Sequence, residues 1–118
     1  MENSSEFNEI LLSVGFVGMT LIIIGLFLWK YPPKKVNHLY GYRTRSSMKS
    51  QERWDHAQAF SAREMIKQGV LLVFLGGVLM LFRDLTLLVS ITIFMILLLG
   101  SFLVVIARTE RSLKDKFK

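Results

Sequence analysis

The chain reads as an all-α membrane protein with three transmembrane helices, a basic cytoplasmic loop and an amphipathic helix between the first and second, and three observations predict this. Hydrophobic residues make up 52% of the 118 positions and mean hydropathy is +0.42. They fall in long blocks, whereas a soluble chain would intersperse them with a period of 2 or 3.6. Lys and Arg gather in two places only, between the first two blocks and after the third. Finally, a polar segment ending in a tryptophan lies between the first and second blocks, 37–54.

A bilayer core about 30 Å thick needs roughly 20 apolar residues of helix to cross it. Ile10–Trp29 meets this, and Leu85–Ala107 meets it with length to spare for tilt. Val70–Phe82 is too short alone and must recruit Met65–Gly69, which carries Lys67 and Gln68 toward the membrane. The expected spans are therefore 10–29, 65–82 and 85–107 in a single membrane domain, 1–118, with 30–64 as the loop. The residues before the first block include Glu2, Glu6 and Glu9 and no Lys or Arg, the apolar run is long, and no small-residue cleavage site follows. The block is thus expected to stay attached as an anchor and not to act as a signal peptide.

Net charge is +6, and its distribution sets an orientation. Lys30, Lys34, Lys35, Arg43, Arg45, Lys49, Arg53 and Arg63 lie between spans one and two, and Arg108, Arg111, Lys114, Lys116 and Lys118 follow span three. The N-terminal arm is acidic, and the turn between spans two and three pairs one Arg83 with one Asp84. Since Lys and Arg flanking short loops stay cytoplasmic, the N-terminus is expected outside a bacterial cell membrane, and the loop and C-terminal tail inside. The same cations suit anionic headgroups, each contributing about 1 kcal/mol near the surface, so membrane lipids are expected partners. They bracket apolar spans and form no recognition element, so nucleic-acid binding is not expected.

Trp29 and Tyr31 mark the interface at the end of span one, and Pro32-Pro33 stops the helix. Val36–Ser47 reads as an ordered loop in which Gly41 permits a backbone angle or close approach. Ser50 is a suitable N-cap, with Glu52 in the first turn where negative charge suits the helix dipole. The helix that follows sets Trp54, Ala57, Ser61 and Met65 on one weakly apolar face, which either lies in the headgroups or packs on the other spans. Small residues (Gly15, Gly18, Gly25, Gly69, Gly76, Gly77, Ser90, Gly100, Ser101) mark where helices approach, without a clean Gly-x-x-x-Gly. Self-association stays open.

No catalytic or metal constellation is legible, so no enzyme and no cofactor is expected. Cysteine is absent, which removes thiolate nucleophiles and ligands. His38 and His56 are the two histidines and fit no ligand spacing, and the serines lie in no Gly-x-Ser-x-Gly elbow. Proton-coupled transport wants a carboxylate deep in the membrane, and the apolar blocks contain none. What remains is the loop. Arg43, Arg45 and Lys49, with the hydroxyls of Tyr42, Thr44 and Ser46, suit an anionic group, and Trp54 suits an interface contact. The other reading is internal, with Arg43 satisfying carbonyls or Glu52 and fixing the loop.

Asn37, Gly41-Tyr42-Arg43-Thr44, Met48-Lys49, Glu52 and Trp54, in this order between two spans, resemble the signature loop of the SdpI family. The resemblance implies a small bacterial membrane protein in immunity to a secreted antimicrobial peptide toxin. It also implies toxin-linked signalling, in which a soluble cytoplasmic regulator is held at the membrane. On that reading Asn37, Gly41, Tyr42, Arg43, Thr44, Lys49, Glu52 and Trp54 bind a partner or lipid. The family's prototype resembles a longer, multi-span chain, whereas this one holds a single three-span unit. A structural or lipid-binding membrane subunit is the alternative, and a small transporter the third.

Overall fold

The computed structural model describes residues 2–81 and 86–117, which form three long helices and no strand. Helix α1 spans Glu2–Lys30, α2 Gln51–Leu79 and α3 Leu87–Lys116. The side chains of Glu2 and Glu6, the turn residues Arg83 and Asp84, and the expected span ends at Phe82 and Leu85 lie outside the described side chains. Helix α1 begins before the expected span and takes in the acidic arm. Helix α3 runs past Ala107 to Lys116, so most of the basic tail is helical.

Among the described residues two stretches are long and apolar enough to cross a membrane, Leu12–Lys30 in α1 and a stretch of α3. A core helix of a soluble protein would bury such residues. Here 22% and 17% of them are buried, and Phe16, Ile23, Leu88 and Leu103 present their side chains outward. That all-round apolar surface is stable against lipid and not against water. The expected middle crossing, 65–82, starts in the C-terminal half of α2, which ends at Leu79, and Lys67 and Gln68 interrupt its apolar run.

Helices α1 and α2 pack closely because glycine lets their backbones meet. A Cβ on Gly69 would stand 2.6 Å from the carbonyl oxygen of Gly18, and one on Gly18 would stand 2.8 Å from that of Gly69. Two turns toward the loop, a Cβ on Gly25 would lie 2.9 Å from the Ala62 carbonyl oxygen. In lipid, where no hydrophobic force joins helices, such close van der Waals approach holds the pair. Val14, Leu21 and Leu72 form the buried core beside it, with Val17, Met65, Phe94 and Leu97 against them. Gly15, Gly77 and Gly100, of the same type, face open space. Gly69→Ala is therefore expected to cost about 1–3 kcal/mol through overpacking against backbone, which cannot yield as a side chain does. Gly15→Ala and Gly77→Ala should cost nothing, a contrast that thermal unfolding of the three variants in detergent reads directly.

Candidate functional site: the latched loop

The segment from Tyr31 to Ser50 has no regular structure of its own, and specific hydrogen bonds to side chains hold its backbone at several points. The first anchor follows the proline pair. Pro33 is buried and its carbonyl accepts a 2.7 Å hydrogen bond from Trp54 Nε1, with the Trp54 side chain fully enclosed. The apolar face of the loop-proximal helix thus packs inward: Trp54, Ala57 and Ser61 are buried and Met65 is half-buried. Ser50 caps α2, its hydroxyl accepting from the Arg53 N–H at 3.2 Å, with Glu52 exposed in the first turn.

Asn37 shapes the next stretch. Its Oδ1 accepts from the backbone N–H groups of Leu39 (2.8 Å) and Tyr40 (3.0 Å), and its Nδ2 donates to the Lys35 carbonyl (2.9 Å). This local turn is one that Asn makes readily. It leads to Gly41, whose φ of +102° suits glycine alone. A Cβ there would also meet Gln58 Oε1 at 2.6 Å and Pro33 Cγ at 2.7 Å. The close approach has a purpose: buried Gln58 grips the Tyr42 backbone at both ends, accepting from its N–H and donating to its carbonyl, each at 2.7 Å.

From Tyr42 the chain reaches across to α3. The Tyr42 hydroxyl donates to Glu110 Oε1 at 2.7 Å, and the Thr44 hydroxyl donates to the same oxygen at 2.6 Å. Thr44 also exchanges hydrogen bonds with buried Ser47, its N–H donating to Ser47 Oγ (2.9 Å) and its Oγ1 accepting from the Ser47 N–H (3.1 Å). Partial burial, followed by the Glu110 carboxylate, holds the Tyr42 phenol well above its ordinary pKa, so it stays a donor. We call this Tyr42–Thr44–Glu110 junction the latch.

A second junction fastens the end of α3. Arg53 donates through one terminal nitrogen to the Phe117 carbonyl (2.9 Å) and through the other to Ser46 Oγ (3.2 Å), while its guanidinium lies 5.3 Å from the centre of the Phe117 ring. His56 Nε2 is 2.7 Å from Ser112 Oγ, and its ring meets Phe117 edge-on. Burial first, then Lys116 and Arg63, lower the His56 pKa from its ordinary 6.5. A histidine with a lowered folded-state pKa stabilises the docked form above the unfolded value and loses that contribution as pH falls below it. The α3 terminus is therefore expected to loosen below about pH 6.5. Amide exchange at Phe117 should accelerate there, and His56→Gln should remove the pH dependence.

These contacts divide the residues that the sequence singled out. Asn37, Gly41, Tyr42, Thr44 and Trp54 are engaged inside the molecule. Arg43, Arg45, Lys49 and Glu52 face outward. The Arg43 guanidinium donates to the His38 carbonyl, which is the carbonyl-satisfying arrangement and not a pairing with Glu52. The hydroxyls of Tyr42 and Thr44, expected beside an anion, are committed to Glu110, and Ser46 Oγ accepts from Arg53.

Sequence reasoning missed three participants. Gln58 is one turn beyond Trp54, and Glu110 sat in a tail read as lipid-attracting. Glu64, read as part of the loop, is 1% exposed and lies 3.4 Å from both Lys67 Nζ and Arg108 Nε, tying α3 to α2 where the apolar run of α3 ends. Its place in the stripe Trp54, Ala57, Ser61, Glu64 was a usable signal. Among the described residues no three His, Asp or Glu side chains gather as a metal site.

An all-helical fold with an apolar lipid-type surface, capped at one end by a loop latched between helices, defines a small helical membrane protein. The chain belongs to the SdpI/YfhL protein family, whose model matches residues 34–109, from the loop through α2 and along α3 as far as Thr109, the residue before Glu110. It is 39% identical over 101 residues to YfhL of Bacillus subtilis (strain 168), described as an uncharacterized protein, covering 85% of this chain and 86% of that one. No solved structure matches it.

Proposed function

We propose that this protein acts in immunity to a secreted antimicrobial peptide toxin, or in toxin-linked signalling through a cytoplasmic partner, as a three-span protein of the bacterial cell membrane. Spans 10–29, 65–82 and 85–107 cross the bilayer with the N-terminus outside and the loop and α3 terminus in the cytoplasm. The charge asymmetry supports this orientation. The observation that carries the reading is the family match across a loop that is built as a fixed surface. Internal residues hold the backbone, Lys49 and Glu52 are exposed on it, and Arg43 is exposed with its guanidinium resting on the His38 carbonyl. A preformed display of this kind lowers the ordering cost of binding.

The alternative, a structural or lipid-binding subunit, draws support from a specific fact: most polar groups of the motif are satisfied within the chain. Survival of a toxin-sensitive bacterium expressing this protein separates the two. Arg43→Ala and Lys49→Ala, at membrane levels matched to the wild type, are expected to lose protection. Equal protection by wild type and both variants would remove the outward residues from the function, and protection by none of the three would favour the subunit reading.

A further inference from the structure

Beneath Tyr40–Tyr42 the three helices line a side-opening cavity of about 370 Å³. Its wall is apolar, built from Leu21 and Leu28 of α1, Met65 of α2, and Phe102 and Val105 of α3. The polar groups in that wall are already used. Ser61 Oγ bonds to the Gln58 carbonyl (3.3 Å), Ser101 Oγ to the Leu97 carbonyl (2.8 Å), and the Tyr42 hydroxyl to Glu110. Only the exposed Tyr40 at the rim stands apart. Such a cavity has nothing with which to recognise a polar ligand, and a guest must be apolar.

Position narrows the guest further. The lining residues of α1 and α3 lie inside the apolar stretches that end at Lys30 and Arg108, and Ile24, Phe102 and Ile106 are at once lining and exposed. The cavity therefore opens sideways at hydrocarbon depth, where the surrounding medium is alkyl chain. Engineered apolar cavities of about 150 Å³ stay dry and take apolar guests, and this one is more than twice that size. An unfilled wall forfeits dispersion contacts, which a chain would restore. Toward the cytoplasm, the first charged residue beyond the cavity is a cation on α1, α3 and the loop, Lys30 after Leu28, Arg108 after Ile106 and Arg43 after Tyr42, and an anion, Asp55, on α2, so cations prevail at the rim.

We propose that the cavity binds one alkyl chain of an anionic lipid from the cytoplasmic leaflet, with the headgroup at the cationic rim. The chain lies under Tyr42, whose hydroxyl holds the latch, so occupancy and loop position are coupled. This site does not depend on the immunity reading.

The test reconstitutes the full chain in phosphatidylcholine vesicles containing a trace of phosphatidylglycerol with a photoreactive diazirine in its acyl chain, and maps the labelled residues. Labelling of Met65 and Val105 is expected to exceed that of outward-facing Leu103 and Ile23 at least threefold. Ser101→Phe and, separately, Ser61→Leu, which fill the space from different helices, should each reduce the cavity labelling at least fivefold. Leu103 labelling should be unchanged, which shows that the variant is inserted. Equal labelling of cavity and outer surface, or no loss in an inserted filled variant, overturns the site. Equal cavity labelling by the same chain on phosphatidylcholine overturns the anionic headgroup. Cavity labelling by a photoreactive apolar peptide or a second copy of the protein, with none by lipid, overturns the occupant.

Discussion

Trp54→Ala is expected to lower the stability of the folded protein by about 3–5 kcal/mol, the cost of truncating a fully buried large aromatic that the surroundings cannot refill. The side chain is completely enclosed, and its indole N–H is the partner of the Pro33 carbonyl. Truncation removes both the packing that seats the start of α2 and the bond that fixes the exit of α1. Trp54→Phe separates the two contributions. It keeps most of the apolar contact and leaves the buried carbonyl without its donor, at a cost of about 1–3 kcal/mol. Unfolding in detergent micelles and membrane abundance should fall together for Trp54→Ala. Arg43→Ala, at an exposed position, should stay within about 0.5 kcal/mol of the wild type. If Trp54→Ala unfolded like the wild type while losing function, Trp54 would be an interface residue and its enclosed position would be wrong.

The second large effect is expected at Glu110. One carboxylate oxygen accepts from both Tyr42 and Thr44, and hydrogen bonds to a charged acceptor contribute about 1.5–3 kcal/mol each before relaxation. Glu110→Gln keeps an oxygen in place but removes the charge, so a loss of about 1–3 kcal/mol follows. Glu110→Ala, which leaves both hydroxyls without an acceptor, should lose more. The pH dependence has a definite sign. The folded-state Tyr42 pKa is raised above its ordinary 10.0, so the unfolded chain gives up its proton first. The latch is at full strength below pH 10 and weakens as pH rises past it. Alkaline unfolding of the wild type should therefore show a component that Tyr42→Phe lacks.

Much of this architecture was written in local sequence pattern. The apolar blocks gave α1 and α3, Pro32-Pro33 gave the exit, and Ser50 with Glu52 gave the start of α2. These are signals whose partners lie within a turn or within one element. The latch was illegible for the opposite reason: Glu110 is 66 residues beyond Thr44 and 68 beyond Tyr42. No periodicity links a hydroxyl in a loop to a carboxylate in a basic tail. The Gly18–Gly69 crossing was half legible, since small residues flagged both helices but equally flagged Gly15, Gly77 and Gly100, which meet nothing. Trp54 shows the same limit on a single residue, because an amphipathic ring next to a membrane suits the headgroups, a partner or the interior equally well. Burial against Pro33 decides among them, and only the fold carries that information.

The division of the motif into residues that build the loop and residues displayed by it is the centre of the account, and it rests on the latch. A double-mutant cycle with Tyr42→Phe and Glu110→Gln, measured by unfolding in micelles, tests that contact most directly. A coupling of about 1 kcal/mol or more is expected, as contacting polar partners give. Losses that add to within about 0.3 kcal/mol, the behaviour of independent sites, would contradict it and return Tyr42 to the list of residues free to bind something else.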